Sequence, residues 1–284
     1  MSDARKIFAI LDPTTMNQPS LVMSETLARD IAEAVGQQAS LHVYCCIADD
    51  DVRMPRGMDP ETARREEQDR IEHWVERLAS YSRSLGLEAD TEVEIQADWR
   101  AAIVAAIERQ DCLLAVKNMT PRSRLQRLIR DTSDWRLLRD SRCPMLLVKA
   151  YARRHVKKVL VAIKHRPERK IYREANDRLL AAGRRIAESL GADLHVVTAY
   201  RDNDDYPDRQ RFADRCGLPR NKVTAIMGSA HEAIATAARD LKADLVVIAR
   251  VSRPEDKSQL GNTAEKIIDE VDANLLVLPM TDTA

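Results

Sequence analysis

No stretch of this chain stays apolar for the roughly 18–20 residues that a membrane-spanning helix needs, which excludes such a span by hydropathy. The opening residues MSDARKIFAILDP run straight into a strand-like segment without a signal-peptide pattern, so the expected compartment is the cytoplasm. Neither charge sign is in excess: Lys+Arg and Asp+Glu both count 45, for a formal net charge of zero. The broad basic surplus that phosphate-backbone binding usually leaves in composition is missing, so neither nucleic acid nor membrane is expected as a partner. The local basic run from Arg122 to Arg130 reads as a solvated loop and helix face.

Paired cysteines are also missing. The five cysteines (Cys45, Cys46, Cys112, Cys143, Cys216) include no CxxC, and an odd count in a cytoplasmic chain favours free thiols over a disulfide framework. Cys45 and Cys46 are adjacent in a strand-like run, where neighbours face opposite ways, so no shared metal is expected from them. No nucleophile with its base, metal cluster, or Gly-rich loop with an essential lysine stands at usable spacing, so no catalytic and no metal-binding residue is nominated. His42 and His195 sit inside strand-like runs and read as structural, and Trp99 and Trp135 read as helix-to-sheet staples.

What is present is 44% apolar and 32% charged residues, enough for packed cores under a charged surface, over 284 residues that suit two domains better than one. Short apolar runs alternate with helical patterns: KIFAIL, a helix near 20–35, SLHVYCC, a helix near 60–85, EVEIQ, a helix near 100–109, DCLLAVK, a helix near 132–140, and PMLLVK. The second half replays the series with KVLVAIK, DLHVVTAY, KVTAIM, DLVVIA and NLLVLP, separated by helical stretches. Such alternation implies βαβ units around a mostly parallel sheet covered on both faces. Ile7 matches Val159, and His42 in SLHVY matches His195 in DLHVV, so the repeat sets the architecture before any motif is weighed. The expected domains are residues 1–150 and 155–284, divided by the basic stretch YARRHVKK.

In open α/β sheets the ligand crevice lies beyond the strand carboxyl ends, where strand order reverses. The first strand ends in Leu11-Asp12-Pro13-Thr14-Thr15, where Asp12 could accept hydrogen bonds from a nucleobase or ribose, or open a turn in which Thr14 or Thr15 caps the next helix. Its counterpart ends in Ile163-Lys164-His165-Arg166-Pro167, which exchanges the acid for basic groups suited to a phosphate or acidic ligand, or to an exposed turn. Gly261-Asn262-Thr263 opens the last helix, where free amides and the helix dipole suit an anion, with Asn262 or Thr263 as a plain cap on the other reading.

Leu260-Gly261-Asn262-Thr263-Ala264-Glu265, Thr132-Ser133-Asp134-Trp135-Arg136-Leu137-Leu138 and Cys143-Pro144-Met145-Leu146-Leu147-Val148-Lys149 make the chain resemble the universal stress proteins of the tandem-domain type, from about Arg5 to Pro279. The resemblance implies two flavodoxin-like domains, each a mostly parallel five-stranded sheet flanked by helices. It also implies that PMLLVK and NLLVLP meet antiparallel in an intramolecular pseudo-dimer, and leaves homodimerisation open. Nucleotide-binding members carry Gly-x2-Gly-x9-Gly-Ser/Thr, whose glycines let backbone approach phosphates. Here Ala249 and Ser252 stand at the first two glycines, the loop is one residue short, Gly261 and Asn262 survive, and Lys164 replaces the adenine-contacting acid. Asp12 keeps that acid, but the matching loop of the first half has no glycine. Asp12-Pro13-Thr14-Thr15-Met16 is not the SGGxDS-like loop of the related ATP pyrophosphatases. The expected function is a non-catalytic, small-molecule-binding or regulatory stress-response protein. The alternative is ATP or ADP binding with slow ATP hydrolysis in the second domain.

Overall fold

The computed structural model describes residues 5–35, 39–119, 133–149, 155–252, 266–268 and 270–281. Their contacts separate into two compact units. The first runs β1 (Arg5–Ile10), α1 (Pro19–Val35), β2 (Ala39–Ala48), α2 (Pro60–Ser84), β3 (Glu88–Gln96), α3 (Trp99–Gln110), β4 (Leu114–Met119), α4 (Ser133–Asp140) and β5 (Met145–Lys149). Its strands lie in the order β3-β2-β1-β4-β5, and every pairing among them is parallel. The second runs β6 (Lys158–Ala162), α5 (Lys170–Leu190), β7 (Asp193–Tyr200), α6 (Arg209–Cys216), β8 (Val223–Met227), α7 (Ala230–Leu241), β9 (Leu245–Ser252) and β10 (Asn274–Thr281). Its order is β8-β7-β6-β9-β10, again parallel throughout. Both units therefore carry the same doubly wound order, 3-2-1-4-5 in their own strands, in the five-stranded parallel sheet expected of the repeat.

Central strands have little choice about burial. Nine consecutive residues of β2 are buried, the mark of a strand covered on both faces, whereas edge strand β3 is largely exposed. Burying one such Leu or Ile contributes about 1.5–3 kcal/mol. Helix starts follow their caps: Asp59 accepts from the Thr62 amide with Pro60 in the first turn, and Asp98 accepts from the Ala101 amide. α3 and α7 each end on a left-handed residue that is not glycine, Asp111 at φ 45° and Lys242 at φ 53°. These are matched positions, because Ile7 lies beside Leu114 as Val159 lies beside Leu245. The repeat thus extends to a strained backbone turn.

α5 presents Ile171, Ala175, Leu179, Gly183 and Ala187 at four-residue spacing to the sheet, and all are buried. Gly183 is there for space: a Cβ added to it would lie 2.4 Å from Cγ2 of Val161, itself fully buried on β6. Gly183→Ala should therefore destabilise the second unit by about 1–2 kcal/mol, overpacking outweighing the better helix propensity of alanine, as a lower urea midpoint will show.

Candidate functional site

A parallel strand cannot turn directly into its neighbour, so each unit sends the chain outward from its first strand and back to that strand's other side. In the second unit this reversal falls between β6 and β9. β6 pairs with β9 only from Val159–Leu245 to Val161–Val247, whereas β9 continues to Ser252 alongside β10. Beyond Val247, one edge of β9 has no strand beside it among the described residues. A cavity of about 670 Å³ fills that place, bounded by the carboxyl ends of β6, β7 and β9 and the start of α7.

Two nominated residues meet there: Lys164, just past β6, and Ala249, on β9, both line the cavity. Ser252 is the last residue of β9, paired with Thr281. Gly261, Asn262 and Thr263 lie outside the described residues. Ala249 through Ser252 form a regular ladder with Leu278 through Thr281 rather than a loop. The positions that the resemblance gives to the family's first two glycines therefore lie in an extended strand.

The turn after β6 is fixed by a residue the motif reading passed over. Asn176 of α5 accepts from the Lys164 amide at 3.0 Å and donates to the Lys164 carbonyl at 2.7 Å. Its amide thereby stands in for the neighbouring strand that has ended. The Lys164 ammonium lies 5.0 Å from the Tyr172 ring centroid, and among the described residues no carboxylate forms an ion pair with it. His165 is buried: its amide donates to Thr198 Oγ1 at 3.1 Å, and its ring reaches the Ala199 carbonyl at 3.1 Å and Asp205 Oδ1 at 3.2 Å. Asp205 also accepts from the Arg201 amide at 3.1 Å and from Arg166 at 3.2 Å. Those contacts, the Arg201 amide first and then His165 and Arg166, hold its carboxyl below the usual value of 3.8. The cavity lining thus carries Lys164, His165, Arg166 and Arg201 against Glu168 and Asp205, around an apolar floor that includes Leu179, Ile234 and Ile248.

A serine and a histidine also meet at the rim, a pairing their spacing did not suggest: Ser229 Oγ lies 3.0 Å from His231 Nδ1. The same hydroxyl donates to Glu232 at 2.6 Å, and that carboxylate also takes the Ser229 amide at 3.3 Å. Ser229 and Glu232 therefore cap α7.

In the first unit Asp12 closes a turn. Its Oδ1 accepts from the Thr14 amide at 2.9 Å and the Thr14 hydroxyl at 2.5 Å. Gln18 plays the part of Asn176, accepting from the Asp12 amide at 3.0 Å and donating to the Asp12 carbonyl at 2.7 Å. At the start of α1 the Ser20 amide is taken by Asn118 of β4, at 2.6 Å, rather than by either threonine. His42 is buried, stacked on Phe8 and 2.9 Å from Glu92, with burial the main cause that lowers its pKa. The side chain of Trp135 lies outside the described residues.

A family model described as the universal stress protein family matches residues 12–149 and 209–279. Universal stress protein E of Escherichia coli is 26% identical over 309 residues, covering 98% of this chain and 95% of that one. The universal stress protein E homolog of Haemophilus influenzae is 28% identical over 222 residues, 66% of this chain and 71% of that one. A functionally unknown protein from Pseudomonas aeruginosa PAO1 has the same fold, with a TM-score of 0.75 at 23% identity over 98% of this chain and 94% of that one. Among the described residues, no helix is long and apolar enough to cross a membrane.

Because its folded pKa is depressed, Asp205 contributes stability that is present above the ordinary carboxylate value and lost as pH falls through the folded one. Asp205→Asn should lower Tm near neutrality by roughly 2–4 °C, the effect of losing about 1 kcal/mol in a chain of this size. The gap between the two proteins should close below pH 3.8 in a series of thermal melts.

Proposed function

Since the chain belongs to the universal stress protein family, we propose that it acts as a non-catalytic stress-response protein whose second unit binds a small acidic molecule with an apolar body. The observation that carries this reading is the 670 Å³ cavity with the exposed Lys164 in its lining. Three features of the cavity support it. Lys164 offers a cation that no described carboxylate neutralises, so an incoming anion meets an available charge. β9 runs on past the end of its pairing with β6, so its backbone borders the cavity at the depth where β6 has ended. The apolar floor gives the rest of a ligand a place to shed water.

A catalytic role is not favoured by this geometry. The Ser229 hydroxyl is engaged by its own helix, and the Asp205 carboxylate is occupied by His165, Arg166 and the Arg201 amide. A general base needs a free lone pair aimed at the reacting group. In this reading nucleotides are candidate ligands held through their anionic charge, without the family's glycine cradle.

Calorimetric titration with inorganic phosphate, ADP and Mg-ATP as probes tests the reading. Saturable binding of at least one probe is expected, weakened about tenfold by Lys164→Glu and by added salt, as loss of a charged hydrogen bond implies. An absence of binding by all three, or affinity unchanged in the variant, would overturn it.

A further inference from the structure

At the opposite end of the first unit's sheet, the amino ends of β4 and β5, two cysteines remote in sequence come together. Cys112 Sγ lies 3.2 Å from Cys143 Sγ. Each stands just ahead of its strand, and the strands are parallel neighbours joined from Ala115–Met145 onward. Both side chains are partly exposed, and both line a cavity of about 460 Å³ together with Glu108 and Arg142, which gives a small solute access to the sulfurs.

The second unit shows that the fold does not need sulfur here. The pairing of Ile7 with Leu114 corresponds to that of Val159 with Leu245, and Ala115–Met145 corresponds to Val246–Leu275. Cys112 and Cys143 therefore correspond to Ala243 and Ala273, both buried. Where one unit fills these places with two methyl groups, the other carries two thiols in contact.

We propose that Cys112 and Cys143 are a redox couple, converted by a hydroperoxide into a reversible disulfide in the first unit. The Cys112 thiolate attacks the peroxide: a sulfur–oxygen bond forms, the oxygen–oxygen bond breaks, and the departing alkoxide or hydroxide takes up the proton that Cys112 released. The Cys143 sulfur then attacks Cys112: the sulfur–sulfur bond forms, the sulfur–oxygen bond breaks, and the hydroxyl leaves as water with the Cys143 proton. Two thiols are oxidised by two electrons in all, and one peroxide is reduced to water and an alcohol, or to two waters. The approach required is roughly 1 Å, from contact to an S–S bond of about 2.05 Å.

The division of roles follows from the surroundings. The hydrogen bond from Cys143 holds the Cys112 thiol below its ordinary range, while Cys143, hydrogen-bonded to Cys112 and partly buried, is held above its own. The Cys112 carbonyl, 3.2 Å from Cys143 Sγ, is a second acceptor for that one S–H and helps keep Cys143 protonated and beside its target. The other three thiols are buried, which raises Cys45 to about 12 and Cys46 and Cys216 to about 11. They are poor nucleophiles by comparison.

The test is to treat the full chain with hydrogen peroxide, trap remaining thiols, and map peptides by mass spectrometry without reduction. The expected product is a Cys112–Cys143 cross-linked peptide pair lighter by two hydrogens, restored by a thiol reductant, formed at least about tenfold faster than any modification of Cys45, Cys46 or Cys216. Cys143→Ala should leave Cys112 as a sulfenic or higher acid, and Cys112→Ala should leave Cys143 unmodified. The alanines of the second unit indicate that both variants fold, and circular dichroism will check it. No cross-link in the wild-type protein, or buried cysteines reacting as fast as Cys112, would overturn the proposal.

Discussion

Everything in this molecule depends on one constraint of parallel pairing: a strand that ends beside its neighbour's end cannot turn back into it, and the chain has to cross over a face of the sheet first. All five strand carboxyl ends in a unit therefore gather along one edge, and the amino ends along the other. The crossovers put helices on both faces, which is why the central strands are apolar without alternation. In the second unit the carboxyl edge carries the turns that build a crevice, and in the first unit the amino edge carries the Cys112–Cys143 contact.

Where a central strand stops, its last peptide loses ladder partners and has to find others. Both units solve this with a carboxamide, Gln18 bracketing Asp12 and Asn176 bracketing Lys164. An amide side chain suits the task because it offers one acceptor and one donor in the spacing of a peptide group. The backbone held this way is the same in the two units, while the side chain it displays has changed from an acid to a base. The acid is turned inward on Thr14 in one unit, and the base is left facing a cavity in the other.

The fold was legible because its signal is local and repeated. KVLVAIK and KIFAIL become β6 and β1 with little adjustment, and the helices among the described residues appear where the apolar spacing put them, the stretch near 262–271 lying mostly outside those residues. The cavity was legible in part: Lys164 and Ala249 could be placed beside it because strand order and direction follow from the repeat, although β9 runs on past Ala249 to Ser252. Asp205 and Arg201 were not, since they come from a turn after β7 whose path depends on a 3₁₀ segment at Asn203–Asp205. Asn176 left a faint signal, a polar residue beside Ala175 on the buried face of an otherwise apolar helix stripe. Cys112 and Cys143, 31 residues apart, left none, because their meeting is a matter of strand register.

The stretch of β9 that outruns β6 has a consequence for how recognition in this crevice can be dissected. Main-chain groups past Val247 belong to the protein whatever side chains stand at Ile248, Ala249 or Val251. Replacing those side chains one at a time, as an alanine scan does, would leave that row of donors and acceptors in place and report it as energetically silent. Only the loss of an amide proton, through proline or a backbone ester, interrupts it. In such a crevice the scaffold rather than the residue identities would carry part of the affinity, and a family built on it could change its side chains freely while keeping the same grip.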